Sequence, residues 1–129
     1  MTQPARVDPK LSNTRLGGRV SPTIEEKEWG IEVTYVNNGL YYMKALHLKD
    51  GGETDFHYHI NEYKTLSVAS GVVTLVTLYD RKQYHSILRA TESWIIPPGT
   101  PHAILSNMGS AIVIEASTPN NPNDIMRIS

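Results

Sequence analysis

The chain has 129 residues, a formal net charge of −1 at pH 7 and no cysteine, which suits one domain with one hydrophobic core. Without cysteine there is no disulfide framework and no thiolate metal site, so any metal would need histidine, aspartate or glutamate ligands. Neither a basic stripe nor an apolar run of roughly 18–20 residues is present, so we expect no nucleic-acid partner, no membrane span and a soluble cytoplasmic protein.

The first part of the chain differs in composition from the rest. Residues 1–20 are polar and contain two prolines and two glycines, so we predict a flexible N-terminal arm before a single domain over residues 21–129. The arm could dock on the barrel or on a neighbouring subunit, and simple disorder is the alternative. Residues 22–29 offer one helical turn at most.

After Trp29 the chain shows short apolar stretches separated by turn residues. The predicted strands are Ile31–Val36, Leu40–Leu48, Asp55–His59, Tyr63–Val68, Val72–Leu78, Tyr84–Leu88, Ser93–Ile96, His102–Ser106 and Ala111–Glu115. Clusters of Asn, Asp, Gly and Pro lie between them, as hairpins and tight turns require. Many short strands at roughly 8–12-residue spacing predict an all-β sandwich or barrel, and closing the barrel also removes exposed edge strands.

Three histidines form the strongest candidate site. Side chains alternate along a strand, so His57 and His59 lie on the same face. His102 follows a Pro-Pro-Gly turn at the start of another strand. Three imidazoles that meet inside a barrel would offer nitrogen ligands to a divalent metal such as Zn, Mn, Ni or Fe and leave coordination positions open.

The sequence around these histidines resembles the two motifs of the cupin superfamily. The first motif is a glycine, a His-x-His pair, an acidic residue and a second glycine; the second is Pro-x-Gly, a histidine and an asparagine. The resemblance implies an antiparallel jelly-roll barrel (a double-stranded β-helix). Trp29-Gly30-x-Glu32 before this region, and Asp124-Ile-Met-Arg127-Ile128 after it, are similar to the mannose-6-phosphate-isomerase-like cupins.

The sequence departs from the cupin pattern at the acidic ligand and at two turn positions of the second motif, where Thr91 and Ser106 replace a glycine and an asparagine. Lys64 stands where the acidic ligand would be, and a charged ammonium group cannot coordinate a metal. Three interpretations follow: a metal held by the three histidines alone, Glu62 replacing the missing carboxylate, or a metal-free site in which Lys64 holds an anionic ligand.

Strand alternation places more side chains beside the histidines. Lys64, Leu66 and Val68 should point inward with them, and on the preceding strand Tyr42 and Lys44 should share a face with two core leucines. A bulge that turns Lys44 to solvent is the alternative. Buried lysines need an anionic partner, which the ligand or Glu115 could supply, and a desolvated lysine could act as a general base.

The outer face of the barrel carries several tyrosines. Tyr35, Tyr41, Tyr58 and Tyr63 alternate with the inward-facing side chains and should point outward. Several tyrosines on the outer face of a small barrel indicate that another protein surface covers this face, which predicts a homodimer.

Three functions remain open. The resemblance implies a metal-dependent, isomerase-like cupin acting on a sugar phosphate or a similar anionic hydroxy-carbonyl compound. In such a cupin Lys64 or Lys44 would bind the anionic end or act as base, and Tyr42 would donate a proton. A three-histidine, iron-dependent dioxygenase is the second function. A non-catalytic cupin that binds a sugar or anion is the third, because the fold alone does not determine the activity.

Overall fold

The computed structural model describes residues 6–7, 17–119 and 125–127, and these residues form strands and turns without a helix. The strands are β1 Arg6–Val7, β2 Val20–Ser21, β3 Thr23–Lys27, β4 Gly30–Asn37, β5 Tyr42–Leu48, β6 His57–His59, β7 Lys64–Ser70, β8 Val72–Tyr79, β9 Lys82–Arg89, β10 Ser93–Ile96, β11 His102–Leu105, β12 Ala111–Ser117 and β13 Ile125–Arg127. The all-β prediction is confirmed.

Two antiparallel sheets form the body of the molecule. One has six strands in the order β10-β7-β12-β5-β4-β3, and the other has five in the order β13-β6-β11-β8-β9. A separate two-stranded pair joins β1 to β2. The core consists of buried aliphatic side chains from both large sheets: Leu46, Leu48, Leu66, Val68, Val73, Leu75, Leu88, Ile96, Ile104, Ala111 and Val113. Each sheet buries one face in this core, as in a jelly roll.

All nine predicted strands are present, with ends that shift by a few residues. The helical turn considered for residues 22–29 is wrong, because Thr23–Lys27 is strand β3. It pairs with β4 in a hairpin that joins Lys27 to Gly30. Side-chain exposure alternates along β3, so this segment follows the two-residue period of a strand on the edge of a sheet.

Strand β5 carries the predicted inward face. Tyr42, Leu46 and Leu48 are buried and Lys44 is largely covered, so these side chains share the interior face. The irregularity expected as an alternative does exist, but it is an extra residue of β4 between Thr34 and Val36. Lys44 therefore points into the interior.

The predicted arm, residues 1–20, lies mostly outside the described residues. Arg6 pairs with Ser21 and Val7 with Val20, and the flexibility of the rest stays a prediction. The described part of the chain contains no helix that could serve as a membrane span.

Candidate functional site

The three histidines come from neighbouring strands of the five-stranded sheet. His57 lies directly opposite His102 in the antiparallel pairing of β6 with β11. The ring centroids are 4.6 Å apart for His57 and His102 and 5.3 Å apart for His57 and His59. His102 and His59 are buried, whereas His57 is half-buried and marks the side of the cluster nearest to solvent.

Backbone carbonyl groups orient two of the imidazoles. His57 Nδ1 lies 2.7 Å from the carbonyl oxygen of Asp55, and His102 Nδ1 lies 3.0 Å from that of Thr100. Because a carbonyl oxygen only accepts, each Nδ1 carries the proton and each Nε2 keeps its lone pair. Among the described residues, the buried Nε2 of His102 has no hydrogen-bond partner.

Charged side chains face the histidines from the six-stranded sheet. Glu115 on β12 lies between two lysines, with its Oε2 3.5 Å from Lys44 Nζ and 3.4 Å from Lys64 Nζ. The register explains this arrangement, because Glu115 is paired with Lys44 on β5 while Lys64 begins the neighbouring strand β7. Glu32 on β4 gives Lys44 a second carboxylate at 3.4 Å.

Lys64 and Glu62 also contact His59. The ammonium group of Lys64 donates to His59 Nε2 at 3.4 Å, and Glu62 Oε2 lies 3.2 Å from His59 Nδ1. Glu62 lies in the turn between β6 and β7 and is buried. Burial raises the pKa of this carboxyl group, although the charge of Lys64 opposes the shift.

The three imidazoles are neutral at pH 7. Burial, followed by the positive charge of Lys64, lowers the pKa of His102 to about 4 and the pKa of His59 to about 3. Burial also lowers the pKa of His57, against the effect of its hydrogen bond to Asp55. A neutral imidazole with a free lone pair can accept a proton or bind a metal.

On the facing sheet the pKa shifts favour the charged forms of Lys44 and Glu115, whereas those of the histidines favour the neutral form. Burial alone would lower the pKa of Lys44, but Glu115, Tyr42 and Glu32 raise it above its usual range. Burial alone would raise the pKa of Glu115, but Lys64 and Lys44 hold it below its usual range. The neighbouring carboxylates therefore favour the ammonium form of Lys44, and its predicted role as a base stays a prediction.

Tyr42 lies beside this charge cluster. The Nζ atom of Lys44 is 5.6 Å from the centroid of the Tyr42 ring. Burial raises the pKa of the Tyr42 phenol, so its hydroxyl group keeps its proton at neutral pH.

The donor set fits a divalent metal at two of its three histidines. His57 and His102 have the proton on Nδ1 held by a backbone carbonyl, an arrangement that histidine ligands commonly show. The ammonium group of Lys64 lies against His59 Nε2, the third nitrogen. As the described side chains stand, no three histidine, aspartate or glutamate residues form a group that could hold a metal ion. His59 could complete the set through Nε2 only after Lys64 moves off that atom.

The structure thus brings together the predicted site residues: His57, His59, His102, Glu62, Lys64, Lys44 and Tyr42. The roles predicted for them stay predictions. Sequence reasoning missed Glu32 and gave Arg127 no part in the site. In the strand pairing Arg127 is the residue opposite His57, but nothing in the local sequence of β13 indicates that pairing.

Comparison with known proteins identifies the family. The family model described as "Cupin" matches residues 9–127. The chain belongs to the cupin family. A search of curated proteins found no match for this cupin.

Solved structures with the same fold include three larger proteins. The capsular polysaccharide assembling protein CapF from Staphylococcus aureus is 16% identical, with a TM-score of 0.72, over 81% of this chain and 32% of its own. Oxalate decarboxylase from Bacillus subtilis is 14% identical, with a TM-score of 0.74, over 99% of this chain and 32% of its own. An oxalate oxidase in complex with glycolate is 22% identical, with a TM-score of 0.61, over 68% of this chain and 46% of its own.

This cupin therefore spans about a third to a half of the length of these proteins. At such low identity the likeness shows a shared fold alone.

Proposed function

We propose that this chain is a metal-binding cupin whose interior takes a small anionic hydroxy-carbonyl compound. His57 and His102 would hold the metal through Nε2, and His59 would be the third ligand. The observation that carries this proposal is the buried Nε2 of His102, which lacks a partner among the described residues although its Nδ1 is anchored at 3.0 Å. A buried polar atom without a partner is costly, and a ligand would remove that cost.

The ligand class is supported by the charges of the facing sheet. Lys64 and Lys44 present two ammonium groups to the interior, and Glu115 contacts both. An anionic ligand can share these cations and would compete with Glu115 for Lys64. Two similar structures contain hydroxy-carbonyl compounds: the oxalate oxidase holds glycolate, and CapF holds 3-isopropenyl-tropolone as an inhibitor.

In an isomerase-like reaction the metal and the side chains would have the following roles. A bound divalent metal would supply Lewis acidity toward a carbonyl oxygen. Lys64 would donate to an inner oxygen of the compound, and Lys44 would keep Glu115 ionised beside it. The phenol of Tyr42, which burial keeps protonated, would donate a hydrogen bond to an oxygen of the compound.

The contact between Lys64 and His59 favours a second candidate function. With its Nε2 bound by an ammonium group, His59 belongs to a hydrogen-bonded pocket that needs no metal. A non-catalytic cupin could bind an anion there. The iron-dependent dioxygenase has no observation of its own in its favour, and the identity of the metal would test it. A cytoplasmic location remains part of the proposal.

Metal content tests the proposed function. We expect near-stoichiometric divalent metal in protein purified without an affinity tag, and its loss in His57→Ala and His102→Ala, measured by mass spectrometry. His85→Ala is the matched control, because His85 is exposed on β9. Lys64→Gln should bind the metal more tightly, because it frees His59 Nε2. A folded wild type that refuses added Zn, Mn, Ni and Fe would contradict the proposal and favour the anion-binding cupin.

We also propose that two copies pair through the outer face of the six-stranded sheet. Leu40, Tyr41, Tyr63 and Ile95 are each more than half exposed and line a groove of about 590 Å³. Strand spacing and rise give the whole face roughly 600–700 Å², close to the roughly 800 Å² per partner of a standard interface. Sedimentation equilibrium should show a dimer that Ile95→Asp converts to monomer. A monomeric wild type would contradict this proposal.

A further inference from the structure

One row of side chains crosses the interior face of the five-stranded sheet at the level of the histidines. Successive pairings join Arg127 to His57, His57 to His102, His102 to Thr77, and Thr77 to Tyr84. Residues directly opposite each other in antiparallel strands point to the same face. Because His57 and His102 point inward, Arg127 also lies on the interior face, next to the histidine nearest to solvent.

The guanidinium group of Arg127 forms a weak, exposed ion pair with the carboxylate of Asp55. Its Nη1 lies 3.4 Å from Asp55 Oδ2, and the two side chains are 60% and 76% exposed. Ion pairs this exposed contribute little to stability and are easily exchanged. The backbone of Asp55 has a separate role, because its carbonyl oxygen binds His57 Nδ1. The same residue thus holds the ring of His57 and the guanidinium group beside it.

We propose that Arg127 binds the anionic end of the ligand and leaves the side chain of Asp55 when the ligand enters. This inference rests on the proposed function, since it places the anionic end of that compound at the open side of the site. A guanidinium group presents paired N–H donors that match a carboxylate or a phosphate. Lys64, in contrast, is buried and already shared between Glu115 and Glu62.

Three probes separate charge recognition from general binding. Hydroxyacetone is an uncharged hydroxy-carbonyl compound, glycolate carries a carboxylate, and dihydroxyacetone phosphate carries a phosphate. Their dissociation constants would be measured by isothermal titration calorimetry on the full chain, with the metal content of each sample determined in parallel. The anionic probe that binds more tightly identifies which anion the site takes.

Arg127→Gln should raise the dissociation constant of the anionic probe about tenfold and leave that of hydroxyacetone unchanged. Asp55→Asn should lower the constant of the anionic probe, because the competing carboxylate is removed while the backbone carbonyl still holds His57. Arg89→Gln is the matched control, since Arg89 ends β9 away from the row and is exposed. It should change none of the three constants.

Two results would overturn the role of Arg127 and leave the proposed function intact. One is that Arg127→Gln leaves the anionic probe unaffected. The other is that it weakens hydroxyacetone and the anionic probe equally, as a purely structural role would. A wild type that keeps its metal and binds none of the three probes would overturn both the role of Arg127 and the proposed ligand class.

Discussion

Replacing Glu115 with glutamine is expected to lower the free energy of unfolding by about 3–5 kcal/mol, because it leaves buried ammonium groups without their shared carboxylate. Glu115 is 3% exposed and lies within 3.5 Å of both Lys44 Nζ and Lys64 Nζ. Among the described residues, Glu32 would remain as the anionic partner of Lys44 and Glu62 as that of Lys64. Urea unfolding of purified wild type and variant at pH 7 measures the difference.

Two further variants make this prediction specific. Glu26→Gln removes the same charge from an exposed site on β3 and should change stability by no more than about 0.5 kcal/mol. Lys44→Met combined with Glu115→Gln should recover part of the lost free energy of unfolding, because one of the two ammonium groups that lost their shared carboxylate is then removed. A loss below about 1 kcal/mol for Glu115→Gln would show that the carboxylate does not balance these lysines.

Acidification from pH 7 to pH 5 is expected to destabilise the metal-free protein by about 2–4 kcal/mol, at up to about 1.4 kcal/mol per pH unit for each buried histidine. In the unfolded chain histidine takes up a proton below about pH 6.5. In the folded chain His102 stays neutral to about pH 4 and His59 to about pH 3. Between these limits the unfolded state binds more protons, so stability falls as the pH falls.

The two buried carboxyl groups modify this pH dependence in opposite directions. The lowered pKa of Glu115 adds to the loss below its ordinary pKa of 4.5, whereas the raised pKa of Glu62 opposes it. Urea unfolding of chelator-treated protein at several pH values gives the slope. His102→Gln should flatten it, and His85→Gln, at an exposed position, should not. An unchanged slope in His102→Gln would contradict the assignment.

Local sequence patterns were enough to predict much of this fold and site. Turn residues mark the strand ends, and two-residue alternation correctly places Lys44, Lys64 and the His57–His59 pair inside. The edge strand β3 was missed because Thr23–Lys27 has one aliphatic residue and three charges, too few apolar positions to show a strand period.

The partners of these side chains could not be predicted, because they depend on long-range pairing. Glu115 meets Lys44 and Lys64 only because β12 lies between β5 and β7. Arg127 meets His57 only because β13 adds to the edge of the five-stranded sheet. The direction of the pKa shift of Lys44 has the same origin, since burial alone would have lowered it and a carboxylate from a distant strand reverses the shift.

Strand β6, which carries two of the three histidines, is held less firmly than the core beneath it. It has three residues and shares one register pair with β11 and three with β13. Amide groups of such a strand exchange with solvent through local opening, at a free energy below that of global unfolding. Separation of β13 from β6 would expose His57 and His59 while Leu75 and Val113 stay packed. The rate of ligand or metal exchange would then depend on the free energy of opening β13 from β6 rather than on the free energy of unfolding the whole barrel.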